Sequence, residues 1–184
     1  MARRSAFESP LEEAWKIIGL EAKGPLAGME EKLALFGQFV GDWDIVAARY
    51  PQPDGTEIKG RGEIHFIWIL EGRGVQDTFC MIDEKTGKVV PAGTTVRFYD
   101  PGIDAWHSVW ISPRQRVVQP FVARSVKGEI VLEGKSPDGK YPEKWIFSEI
   151  RRDSFRWHSE TTHDDGKTWV LTEEMQVRRK NPSS

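Results

Sequence analysis

The chain has 184 residues, 8 of them tryptophan, and a formal net charge of −2 from 26 basic and 28 acidic side chains. This length suits one domain with a single core, and the near-balanced charge argues against a generic nucleic-acid or anionic-membrane surface. The single Cys80 excludes an intramolecular disulfide, and the absence of a ~20-residue apolar run or a signal core predicts a cytoplasmic protein without a membrane helix.

The N-terminal part of the chain has helical periodicity. Ser9-Pro10-Leu11-Glu12 combines a cap, a proline suited to the first helical position and a glutamate, which predicts a short amphipathic helix over about 10–19. A second apolar stripe predicts a helix over about 29–36, before the break at Gly37. Neither helix carries a catalytic motif, so we expect both to pack on the main body.

From Gly41 onward the pattern is almost wholly β. Runs of alternating, β-branched and aromatic residues are separated by turn sequences such as Pro53-Asp54-Gly55 and Asp100-Pro101-Gly102. No intervening helical stretch is long enough for a parallel crossover, so the strands are expected to be antiparallel. The predicted strands cover residues 43–50, 57–70, 75–82, 94–99, 105–111, 117–124, 129–133, 143–150, 155–162 and 167–178.

About ten neighbouring antiparallel strands tend to close on themselves, because closure removes the exposed edges of the sheet. We therefore predict a mainly β protein with a closed up-and-down β-barrel over residues 41–180. A helical segment over residues 1–40 would pack on the barrel, and residues 181–184 would form a disordered tail. A β-sandwich is the alternative architecture.

Alternation along the strands predicts what the barrel encloses. Several strands have one aliphatic face and one aromatic-polar face, as where Arg97 and Tyr99 precede Trp106 and Trp110. The aromatic-polar set suits an interior that surrounds a ligand or ordered water. The aliphatic set would then pack on the helices or on a second copy in a homodimer. The reverse assignment, with an aliphatic core, is the alternative.

The start of the first strand carries a resemblance. Gly41-Asp42-Trp43 resembles the Gly-x-Trp of lipocalin-type, or calycin, barrels, where the indole closes the base of the barrel. In those barrels a basic residue of the last strand packs over this tryptophan. The resemblance assigns that place to Arg178 or Arg179.

Three longer stretches, 62–77, 97–110 and 155–178, carry a more specific resemblance. With Gly-x-Trp, they resemble a group of uncharacterised bacterial proteins of lipocalin-like fold, related to the family of unknown function designated DUF1579. The resemblance covers about residues 39–180. It implies the fold and brings no reaction with it.

Candidate site residues lie on the predicted inner faces. Glu63 and His65 are two apart on one strand, so they could form an acid–base pair or a hydrogen-bonded polar pair on the barrel wall. Gln76 follows on the adjacent strand. Arg97 and Tyr99 could clamp an anionic or carbonyl group, unless Arg97 pairs with Glu63 or Glu160. The aromatic walls would come from four tryptophans, Trp106, Trp110, Trp145 and Trp157.

Several common sites are not predicted. Phosphate-binding loops, dinucleotide motifs and nucleophile elbows are absent from the sequence, and His158 and His163 do not have metal-site spacing, so we expect no cofactor and no metal. One function class is a protein that binds a small apolar or aromatic molecule. Another is a cofactor-independent isomerase, cyclase or lyase, with Glu63 or His65 as general base and the arginine and tyrosine stabilising an oxyanion. A structural or interaction module would instead have a filled interior.

Overall fold

The computed structural model describes residues 22–180, which form one α-helix and ten β-strands. The helix is α1 (Glu30–Gly37). The strands are β1 (Gly41–Pro51), β2 (Glu57–Ile69), β3 (Gly74–Ile82), β4 (Val89–Asp100), β5 (Ala105–Ser112), β6 (Val117–Val126), β7 (Glu129–Lys135), β8 (Pro142–Ser148), β9 (Ser154–Thr161) and β10 (Val170–Arg179). Within residues 22–180, no helix has the length and apolar character needed to cross a membrane.

The strands close into one antiparallel barrel. Each strand pairs with its neighbours in sequence, and β10 pairs with β1 to complete the ring. The predicted barrel is therefore confirmed over the sandwich. The predicted helix over 10–19 and the predicted tail over 181–184 lie outside the described residues, whereas α1 matches the predicted second helix within one residue at each end.

Two strands begin three or more residues away from their predicted positions, and the others begin within two residues of theirs. β4 begins five residues early, at Val89. Pro91 and a bulge opposite Cys80 of β3 interrupt the alternation in the sequence, although the residues still pair with β3. β10 begins three residues late, at Val170. The residues expected to begin this strand, 167–169, belong instead to the turn before it. Asp164 stabilises that turn, because its carboxylate accepts hydrogen bonds from the Thr168 backbone N–H and the Thr162 hydroxyl, both at 2.8 Å.

The up-and-down order gives the barrel two different ends. The end that we call the closed end carries α1 and the connections 70–73, 101–104, 127–128 and 149–153. The other, which we call the open end, carries the hairpins 52–56, 83–88, 113–116, 136–141 and 162–169.

The closed end is filled by aromatic rings. Phe36 of α1 is fully buried, and its ring meets Trp106 edge-on at 5.0 Å and Phe147 at 5.9 Å between centroids. Phe39, just after the helix, packs on Phe66 at 5.6 Å and on Phe155 at 4.9 Å. The helix therefore closes the barrel as an apolar plug.

Trp43 and Arg179 lock this end. The Trp43 indole N–H donates to the Phe39 carbonyl at 2.6 Å, and the Arg179 guanidinium lies 4.1 Å from the Trp43 ring centroid. Arg179 also donates to the carbonyls of Gln38 and Val40, both at 2.9 Å. Of the two arginines that the calycin resemblance suggested, Arg179 takes the place over the tryptophan, and Arg178 is exposed.

Candidate ligand cavity

Above the aromatic plug, the barrel contains a cavity of about 500 Å³. This volume lies in the usual range of small-molecule pockets. Strands β1–β6 and β8–β10 contribute to its lining. Gln115 and Pro137, which are exposed residues of open-end hairpins, also line it, so the cavity reaches solvent at the open end.

Three tryptophans form one side of the cavity. Trp145 lies between the other two, 6.1 Å from Trp110 and 5.3 Å from Trp157 between ring centroids, and both pairs meet edge to face. Phe121 packs behind Trp145 at 4.3 Å. This side of the cavity therefore offers a ligand the aromatic surface of three indole rings.

Two glycines within strands make room for these rings. A Cβ atom at Gly93 of β4 would lie 2.4 Å from the Trp110 ring, and one at Gly134 of β7 would lie 2.5 Å from the Phe121 ring. Both contacts are far too short for a side chain. The glycines thus let the aromatic rings lie close to the wall and leave the centre of the barrel open.

Below the tryptophans, the cavity is lined by an ion pair. The Arg97 guanidinium donates to the Asp77 carboxylate, and these side chains are only 3% and 6% exposed. Phe36 and Phe66 lie against the same guanidinium, at 4.9 and 5.7 Å from the ring centroids. The Arg97 Nε–H has no hydrogen-bond partner among the described residues, so a ligand acceptor could satisfy it.

Two further carboxyl groups line the cavity nearer the open end. Glu143 accepts hydrogen bonds from the Trp145 indole N–H at 2.8 Å and from the Gln119 amide at 3.1 Å, while burial raises its pKa. Burial raises the pKa of Glu173 to about 7, with a contribution from the Glu143 charge. The neighbouring Tyr50 hydroxyl opposes that rise, and burial raises the Tyr50 pKa in turn. Glu173 is therefore able to gain or lose a proton near neutral pH.

The residues predicted for the site divide into three groups. Arg97, Trp110, Trp145 and Trp157 line the cavity. Trp106 and Tyr99 belong to the closed end: Trp106 packs on the plug, and the Tyr99 hydroxyl donates to Asp104 in the connection after β4. These two share a face with Arg97 and Trp110, as predicted, but lie deeper along the barrel than the cavity.

The third group, Glu63, His65 and Gln76, lies on the outside of the barrel. Lys180 Nζ lies 2.8 Å from a Glu63 carboxylate oxygen, and this ion pair holds the pKa of Glu63 below its usual value. His65 Nδ1 lies 2.7 Å from an Asp42 carboxylate oxygen, and its Nε2 lies 3.2 Å from Glu63. Gln76 donates to the hydroxyl of Thr94 on the next strand at 2.9 Å.

The inward orientation expected for Glu63, His65 and Gln76 is therefore corrected; Gln76 is the cross-strand partner of Ile67, which shares a face with Glu63 and His65. Cross-strand partners point to the same side of a sheet, and Ile64 is the partner of the buried Trp43. The inner face of β2 is consequently the one with Ile64 and Phe66. The polar side chains of Glu63 and His65 suggested that their face of β2 points inward, but the pairing of Ile64 with Trp43 turns the opposite face inward.

Sequence reasoning did not assign Glu143 or Glu173 to the site. Glu143 could have been found, because it is two residues before Trp145 and shares its face. Glu173 follows a register shift between Leu171 and itself, so simple alternation does not place it.

Two solved structures resemble the barrel. An S-type phycobiliprotein lyase, CPES, from Guillardia theta superposes with a TM-score of 0.55 at 12% identity, covering 82% of this chain and 93% of that one. Rv2717c from M. tuberculosis superposes with a TM-score of 0.56 at 14% identity, covering 85% and 99% respectively. Neither a protein-family model nor a curated protein matches the sequence. At these identities the likeness establishes the fold: the chain is a ten-stranded β-barrel of lipocalin-like type.

Proposed function

We propose that the barrel binds a small, largely apolar or aromatic molecule in its cavity. The observation that supports this most is the space of about 500 Å³ bounded by three tryptophans and a few fixed polar groups. Apolar walls with a small number of oriented polar side chains are typical of small-molecule sites. The fold by itself carries no function, so the proposal depends on this cavity.

The two other function classes receive less support. An interaction module with a filled interior does not account for a cavity of this size. The enzyme alternative lacks its expected general base, because Glu63 and His65 lie outside the barrel. Glu173, with a pKa of about 7, is the cavity residue best suited to replace them in proton transfer.

The proposal is tested by titration with N-phenyl-1-naphthylamine, a neutral aromatic probe whose emission rises in apolar surroundings. We expect saturable binding at one site per chain. Ser159 is buried and lines the cavity, so Ser159→Phe should fill space that the probe needs and remove binding. Gln176→Phe, on the exposed face of the neighbouring β10, adds the same ring outside and should leave binding unchanged.

Circular dichroism and urea unfolding of both variants provide the folding control. Absence of saturable binding to the unmodified protein would contradict the proposal. Equal loss of binding in two folded variants, Ser159→Phe and Gln176→Phe, would place the probe on the outer surface and would also contradict it.

We also propose that the outer face of β4–β6 supports a homodimer. Phe98, Ile111 and Val118 expose 36–67% of their surface there, and Ile111 and Val118 are cross-strand partners. Exposed apolar patches of this kind often mark protein contacts. Sedimentation equilibrium of the protein and of Val118→Lys tests this, with a monomer expected for the variant. A monomer for both proteins would contradict it.

A further inference from the structure

We propose that the ligand is an organic cation, with an apolar or aromatic body and a quaternary or protonated amine held beside Glu143, Glu173 and the tryptophans. This inference rests on the proposed function and adds the chemical class of the ligand. It is carried by the charges that line the cavity, by the position of the tryptophans and by the order of residues along the strands.

The charges in the cavity are unequal. Among the described residues that line it, three are acidic, Asp77, Glu143 and Glu173, and only Arg97 is basic. The ion pair with Asp77 neutralises Arg97. Within residues 22–180, Glu143 and Glu173 therefore have no basic partner in the cavity, and a buried carboxylate without a counter-charge is unfavourable. A cationic ligand would supply that counter-charge, whereas an anionic ligand would add to the repulsion.

The tryptophans lie where a cation would gain most. The Trp145 indole N–H donates to Glu143 at 2.8 Å, so this ring and this carboxylate are adjacent. Trp110 and Trp157 flank Trp145 with their rings at 71° and 70° to it, which presents aromatic surface from more than one direction. The face of an indole ring attracts cations more strongly than other aromatic side chains do.

Strand direction fixes how such a ligand would lie. β8 runs from the open end toward the closed end, so Glu143 is nearest the solvent and Phe147 is deepest. On β10, Glu173 likewise precedes Met175. Along these two strands the lining is therefore acidic near the open end and apolar deeper, while the charges of the deeper Arg97–Asp77 pair cancel each other. A cationic head near the open end and an apolar body near Phe147 match this gradient.

The test uses two probes of opposite charge and similar shape. These are (1-naphthylmethyl)trimethylammonium and 1-naphthylmethanesulfonate, each competed against N-phenyl-1-naphthylamine at pH 8. Both carry the same naphthyl body and a compact tetrahedral head. We expect the ammonium compound to compete at least about tenfold more strongly than the sulfonate. The neutral 1-naphthylmethyl tert-butyl ether should fall between them.

Charge-removing variants locate the preference. Glu143→Gln with Glu173→Gln should reduce the ammonium preference to less than about threefold while N-phenyl-1-naphthylamine still binds. Glu84→Gln is the matched control, because Glu84 is an exposed residue of an open-end hairpin that does not line the cavity. It removes one carboxylate charge at the same end of the barrel, against two in the double variant, and should keep the preference.

A pH series supplies an independent readout, since the ammonium probe has a permanent charge. The titratable or charged groups that surround Glu173 in the cavity are Tyr50, Glu143 and, deeper, the pair of Asp77 and Arg97. Affinity for the ammonium probe should rise several-fold from pH 5 to pH 8 as Glu173 loses its proton. The rise should be smaller in Glu173→Gln.

The outcomes separate the two proposals. If N-phenyl-1-naphthylamine binds in the cavity but the sulfonate or the ether competes as well as the ammonium compound, the cation proposal is overturned and the proposed function stands. If the Glu84→Gln control loses the preference as fully as the double variant, the cation proposal is overturned again. If no probe binds the unmodified protein, both proposals fail.

Discussion

At the closed end of the barrel, Phe36, Trp43 and Trp106 are at most 1% exposed and their rings pack into a solid core. Toward the open end, Trp110 and Trp145 are also aromatic but border a cavity of about 500 Å³. One buried donor from each region shows a further difference. The Trp43 N–H has a close acceptor, whereas the Arg97 Nε–H at the cavity has none among the described residues.

This difference indicates that the two ends have separate roles. A filled aromatic core stabilises the fold. A cavity with an unpartnered donor and two carboxyl groups of raised pKa destabilises the protein unless something binds there. Stability should therefore depend mainly on the closed end, and binding mainly on the open end.

The sharpest test of this division compares one substitution at both ends. Trp43→Ala removes a fully buried ring, its hydrogen bond to Phe39 and its contact with Arg179, and should lower the free energy of unfolding by about 3–5 kcal/mol. Trp110→Ala enlarges a cavity that already exists and should cost about 1–2 kcal/mol. Urea unfolding measures both, and equal losses would contradict the division.

The ion pair below the tryptophans should behave as a single unit. Asp77→Ala leaves the Arg97 guanidinium buried without its carboxylate and should cost about 3–5 kcal/mol. Asp77→Leu combined with Arg97→Met removes both charges and should return to within about 1 kcal/mol of the unmodified protein. The comparison is made by urea unfolding. A double variant that is less stable than Asp77→Ala would show that the pair itself stabilises the fold.

Glu173 should make stability depend on pH. Its pKa is about 7 in the folded protein, against an ordinary value of 4.5, so between these values the folded state holds a proton that the unfolded chain has lost. The free energy of unfolding should therefore fall as pH rises from about 4.5 to 7, by about 1–3 kcal/mol from this residue, and stay lower above pH 7. Glu173→Gln should remove this residue's contribution to the pH dependence of the free energy of unfolding.

The measurement for this prediction is the stability difference between Glu173→Gln and the unmodified protein at pH 5, 6, 7 and 8. Taking the difference cancels the titration of carboxyl groups elsewhere, such as Asp164, whose pKa is lowered to about 2. The variant should gain relative stability toward pH 8. A constant difference across this range would show that Glu173 titrates normally.

The sequence predicted the barrel well because its signals are local. Turn sequences and strand alternation each involve only a few neighbouring residues, and antiparallel closure follows from having many strands with short connections. The same local rule placed Arg97 and Trp110 on the inner face. It also placed Trp145 and Trp157 there, and all four line the cavity.

Depth and facing in the barrel depend on partners that are distant in sequence, so local rules missed them. Trp106 shares a face with Trp110, yet α1 covers it and removes it from the cavity. The facing of β2 is set by the pairing of Ile64 with Trp43. A register shift next to Glu173 breaks the alternation that would have revealed it.

The smallest expected effect concerns the outer pair on β2. Glu63→Gln and His65→Ala alter contacts with Lys180 and Asp42 at the surface, where ion pairs contribute about 0–1 kcal/mol. Both variants should bind N-phenyl-1-naphthylamine and the ammonium probe with unchanged affinity, because neither residue lines the cavity. Fluorescence titration checks this. A several-fold loss of affinity in either folded variant would mean that binding extends to the outer wall, and that the division between a stabilising end and a binding end is incomplete.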